Sequence, residues 1–95
     1  MTKQKYIFRG DRSGVFYGEM GERNDREVQI INCRRLWRWS GAASLSQLAF
    51  EGVKRPGNCQ FTVTVPELTI TDLIEFIPCS EAACASIDGV AAWKR

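Results

Sequence analysis

Alternation of apolar and polar positions predicts a chain built mainly of short strands. Lys5 to Arg9 reads as a first strand, ended by the turn-forming run Gly10-Asp11-Arg12-Ser13-Gly14. Val15 to Met20 reads as a second, in which Gly18 marks a bulge or sharp bend. A polar stretch over Gly21–Arg26 is expected to form a hairpin loop, and Glu27 to Asn32 a third strand with Val28 and Ile30 turned inward. The apolar phase shifts at Asn32-Cys33, which predicts a bulge or tight turn before Arg34–Trp39. Further on, Phe61, Val63 and Val65 alternate as a strand stopped by Pro66. The β-branched, apolar run from Thr69 to Ile77 is the strongest strand prediction and ends at Pro78.

Two helices interrupt this pattern. Ser44 is placed to cap one through Leu45, Leu48 and Ala49, with Gly52 just past its end. Ser80 is placed to cap another over Ala82–Ile87, with Glu81 in its first turn and Asp88-Gly89 closing it. Between them Lys54–Asn58, with Pro56-Gly57, reads as a loop, and Trp93 is expected to fold back onto the core. No repeat or linker divides the 95 residues, so a single domain over 1–95 is expected. The predicted class is α+β: a curved antiparallel sheet with two short helices.

Composition narrows the function. At 44% hydrophobic residues the chain can bury a modest core, and no apolar run is long enough for a membrane span. A cytoplasmic, membrane-free protein is expected. The formal charge is only +2, but residues 1–40 hold nine basic and five acidic side chains, against four and six in residues 41–95. That interrupted basic surface disfavours duplex DNA as a partner. Four cysteines at 33, 59, 79 and 84 lack the close pairs of a zinc site, so they are expected to be reduced and buried. Ten aromatic residues in so short a chain suggest a homo-oligomer.

Enzyme templates do not fit. The chain has no histidine, no nucleophile elbow and no phosphate-cradling glycine loop with a lysine. Asp72 and Glu75 on one strand would face opposite sides. No catalytic residue, metal or cofactor is expected. The chemistry concentrates instead in Arg34-Arg35-Leu36-Trp37-Arg38-Trp39, three guanidiniums and two indoles in six residues. As a strand it would place Arg35, Trp37 and Trp39 on one face and Arg34, Leu36 and Arg38 on the other. One reading makes these aromatics core and pairs the arginines with carboxylates. The other makes Arg34, Arg35, Trp37, Arg38 and Trp39, joined by Tyr17 and Arg12, a binding site. There a flat base would stack on an indole with guanidiniums on its phosphates, or the same patch would grip a protein.

The run Arg34–Ala49, the segment Ile74–Ala83 and the closing Trp93 together resemble a small domain family of unknown function from bacteriophages and prophages. Gly14–Met20 followed by Glu27–Asn32 is also similar to the bent strands of SH3-like and Sm-like barrels. The phage resemblance implies an accessory protein acting on host machinery inside an infected bacterium. It would sequester a nucleotide-like ligand, or inhibit a host defence complex such as a CRISPR effector. A small assembly protein is the remaining alternative.

Overall fold

The computed structural model describes residues 3–94. Six strands form one antiparallel sheet: β1 (Lys5–Gly10), β2 (Val15–Asn24), β3 (Glu27–Arg38), β4 (Gln60–Phe61), β5 (Val65–Ile70) and β6 (Leu73–Pro78). Helix α1 (Leu45–Glu51) is inserted between β3 and β4, followed by a 3-10 turn over Pro56–Asn58, and helix α2 (Glu81–Asp88) follows β6. The strand order is β4-β3-β2-β1-β6, and β5 pairs with β3 beside β4. The class is α+β, and the sheet is open.

Openness does not mean flatness. β5 and β6 occupy opposite edges, yet only Thr71 and Asp72 join them. Four interstrand spacings in a flat sheet would span roughly 19 Å. Three residue steps reach about 11 Å at most. The sheet therefore has to curl until its edges approach. The bend falls where β2 and β3 lose register, between Tyr17 and Glu19. Gly18 sits at that point, where a Cβ would come within 2.8 Å of the Ile31 carbonyl oxygen. Across the bend Asn32 takes a left-handed φ of 51° and donates its side-chain amide to Glu19 at 3.1 Å. The expected phase shift at Asn32-Cys33 is thus a bulge inside one long strand.

Curling gives the sheet two buried faces. Phe8, Phe16, Val28, Ile30, Cys33, Ile70 and Leu73 pack inside the curl. On the opposite face, Ile7, Tyr17 and Leu36 pack against Leu48, Ala49, Ala83 and Ile87 of the helices. The adjacent apolar pairs Ile7-Phe8 and Phe16-Tyr17 have this cause: neither side of those strands meets water. The helices are capped as expected. Ser44 accepts from the Gln47 amide at 3.1 Å and Ser80 from that of Ala83 at 3.0 Å.

Three predictions are corrected. Gly21–Arg26 is not a loop throughout: β2 continues to Asn24, pairing Arg23 with Val28 and Asn24 with Glu27, and the turn is Asp25-Arg26 alone. Thr69–Ile77 is not one strand, because Thr71-Asp72 turns the chain from one sheet edge to the other. Pro66 does not stop a strand but lies within β5, a place open to it because β5 is an edge. Asp72 has a structural task at the corner. Its carboxylate accepts from the backbone amides of Arg12 (2.7 Å) and Ser13 (2.9 Å) and from the Ser13 hydroxyl (2.6 Å). Its own carbonyl accepts from Asp11 at 2.9 Å, and the Leu73 amide donates to Arg26 at 3.0 Å. One corner thereby holds both hairpin turns.

These bonds, led by the one from the Ser13 hydroxyl, hold the Asp72 carboxyl below its ordinary pKa of 3.8. A depressed pKa adds stability above the unfolded value and loses it as the carboxyl protonates. Asp72→Asn is therefore expected to lower the Tm at neutral pH. The gap from wild type should narrow on acidification below about pH 4. Thermal melts across pH 3–7 check this, and equal Tm values throughout would remove Asp72 from the account.

Candidate functional site

The arginine- and tryptophan-rich segment does not form one surface. Arg34 and Leu36 point toward the helices, while Arg35 and Trp37 point the other way. Arg38 ends the strand, where the β3–β4 register shifts, and Trp39 lies beyond it, half-buried against the helical core. The expected grouping of Arg34 with Arg38, and of Trp39 with Arg35 and Trp37, does not survive that break.

Arg34 is 6% exposed. Its Nε donates to the Thr62 carbonyl at 2.8 Å, Nη1 to that of Ile87 at 2.8 Å, and Nη2 to that of Val90. The guanidinium also lies over the Phe61 ring, 5.4 Å from its centroid. Burial pulls its pKa below the ordinary arginine value. Buried, and with three of its five N–H groups on carbonyls, this cation is a brace rather than a ligand contact. Arg34, expected in the binding site, thus lies inside the molecule. Tyr17 is inside as well: its hydroxyl donates to the Cys84 carbonyl at 3.4 Å, with the Lys5 ammonium 5.3 Å from its ring centroid. Burial raises the Tyr17 pKa and keeps the phenol neutral.

Two predicted residues do meet. Arg12 and Arg35 line one open depression of about 480 Å³, with Ser13, Leu68–Thr71 and Asp72 around them. Arg35 lies over Phe16, 4.7 Å from the ring centroid, and its Nη1 donates to the Ser13 carbonyl at 3.3 Å. Among the described residues neither arginine has a carboxylate within salt-bridge distance; the ion pairs are Lys3–Glu19, Lys5–Asp88 and Arg9–Glu75. Trp37 follows on the face of Arg35 and is 64% exposed. Arg38 and Trp39 form a separate hollow of about 430 Å³ with Ser40 and Asn58.

The signal for Asp72 was its position between two apolar runs: an Asx residue there marks a turn. All four cysteines are free thiols, and burial pushes those of Cys33 and Cys79 up to about 12. No group of three or more His, Cys, Asp or Glu among the described residues is placed to hold a metal ion. Among the described residues no helix is long and apolar enough to cross a membrane. Exposed large apolar side chains include Phe50, Ile74, Phe76 and Trp93 besides Trp37.

A curled sheet, a helical layer on one face and an arginine-lined opening on the other define a small α+β domain with its polar chemistry at the surface. The chain belongs to the family described as Domain of unknown function (DUF6948), whose model matches residues 3–87. Comparison with curated proteins and with solved structures gave no match.

Core and surface should separate by mutation. Trp37→Ala is expected to change stability by no more than about 0.5 kcal/mol, as at other exposed sites. Phe61→Ala, which removes the ring beneath Arg34, is expected to cost ~3–5 kcal/mol. Chemical denaturation measures both, and a Trp37→Ala loss as large as that of Phe61→Ala would put the Trp37 ring in the core.

Proposed function

We propose that this protein is a non-enzymatic, phage-encoded accessory protein that acts inside the bacterial host by docking on a protein of a host defence complex. The docking surface is the Arg12–Arg35–Trp37 face. The observation that carries this reading is one arrangement: two guanidiniums, without carboxylate partners among the described residues, line an open depression, and two residues along β3 from Arg35 stands a tryptophan that is 64% exposed. Tryptophan and arginine are the side chains that most often anchor protein interfaces. An open depression also suits a flat partner better than a small ligand, whose sites enclose most of its surface.

A second reading, sequestration of a phosphorylated nucleotide-like ligand, has a separate observation in its favour. Arg38 and Trp39 line one hollow, which brings an arginine and a tryptophan to one place.

The two readings part in one experiment. Tagged wild-type protein is expected to retain a defence protein from host lysate. Trp37→Ala and Arg35→Ala, folded by circular dichroism, are each expected to weaken that capture by at least ~30-fold, the effect of losing an interface anchor worth about 2 kcal/mol. Release of an intact nucleotide on heating the purified protein, with capture unaffected by either substitution, would replace the docking reading with sequestration.

A further inference from the structure

The depression that holds Arg12 and Arg35 is also a seam in the sheet. One wall is the outer edge of β5, contributed by Leu68, Thr69 and Ile70, and the other is the β1–β2 turn at Arg12 and Ser13. β5 pairs with β3 along one edge, from Val65 to Ile70. No backbone–backbone hydrogen bond among the described residues reaches its other edge. In an antiparallel strand every second residue turns its N–H and C=O to the same side, so this edge offers unpaired donors and acceptors to the seam.

Natural edges are commonly blunted by lysine, proline or a bulge. β5 has Pro66 near its start, while its second half, Leu68-Thr69-Ile70, carries neither a charge nor a proline. That half is the part that borders the arginines. The depression is net positive. Among the described residues, Arg12 and Arg35 have no carboxylate within salt-bridge distance. Asp72, the carboxylate that lines the same depression, keeps its charge, because its donors from Arg12 and Ser13 are neutral amides and a hydroxyl. Two guanidiniums thus stand against one carboxylate.

We infer that the seam takes an extended acidic peptide segment of the partner protein, which adds a strand to the Leu68–Ile70 edge of β5 and sets its carboxylates against Arg12 and Arg35. Main-chain pairing supplies affinity that is indifferent to side chains, and the two arginines supply the preference for acidic ones. A strand places alternate side chains on one face, so carboxylates at every second position would meet the guanidiniums together. This inference rests on the docking reading and adds the conformation and charge of what docks.

The probe is a pair of capped octapeptides alternating valine with glutamate or valine with lysine, titrated into the full-length protein. With the glutamate peptide at millimolar concentration, exchange of at least one amide among Leu68, Thr69 and Ile70 is expected to slow tenfold or more. The lysine peptide should have no such effect, and the double variant Arg12→Glu/Arg35→Glu should reverse the preference. Equal protection by both peptides would overturn the role of the arginines. Movement of the Trp37 indole and Arg35 Nε signals without protection at Leu68–Ile70 would overturn strand addition while leaving the docking surface in place. No change at either set of signals would overturn the inference outright.

Discussion

A single buried cation ties the two layers of this molecule together. Arg34 leaves β3 on its helical side and spends its donors on three carbonyls from three segments: Thr62 after β4, Ile87 at the end of α2, and Val90 in the tail. Among the described residues no carboxylate lies within salt-bridge distance of it, so the three carbonyls, the Phe61 ring face and the more distant charge of Asp88 together offset the loss of hydration. Ile87 lies in the last turn of α2, where unsatisfied carbonyls gather partial negative charge and favour a cation. The tail then returns along the sheet, with the Trp93 amide donating to the Phe61 carbonyl at 2.7 Å. Phe61 is thereby held from above by the guanidinium and from the side by the tail.

The second constraint is the Asp72 corner, and it works on the opposite face. Arg34 fixes the helices to the outside of the sheet, while Asp72 keeps the curl closed around the aromatic interior of Phe8 and Phe16. The strand that carries Arg34 also carries Arg35 and Trp37 on its other side. The brace and the proposed docking surface are therefore neighbours in sequence and opposites in space. Rigid support of one by the other gives the docking residues a fixed backbone, although they sit close to a sheet edge.

Much of the fold was legible because its signals are local. Serine caps, the Gly18 bend and the phase shift at Asn32 each follow from the chemistry of one or two residues, and each has a counterpart in the structure. The Thr71-Asp72 turn was hidden because β-branched residues flank it on both sides and propensity alone carries the strand through. Arg34 was misread for a different reason. A guanidinium satisfied by backbone carbonyls leaves no pattern in sequence, since its partners at 62, 87 and 90 are identified by position in space and not by residue type. Tyr17 shows the same limit: its neighbours are helical residues some seventy positions away. Arg12 and Arg35 line one depression because β2 pairs with β3, which sets Phe16 opposite Arg35 and so brings the end of β3 beside the turn before β2.

The brace is tested most directly by replacing Arg34 with methionine, which keeps the aliphatic bulk and removes the donors, and comparing its melt with that of Arg12→Met. Stranding buried carbonyls is expected to cost about 2–4 kcal/mol. For a domain of this size that corresponds to a Tm lower by roughly 10–25 °C. Arg12→Met, on the exposed turn, should melt within a few degrees of wild type. An Arg34→Met protein as stable as wild type would contradict the account, because the carbonyls of Thr62, Ile87 and Val90 would then need no cation to hold them.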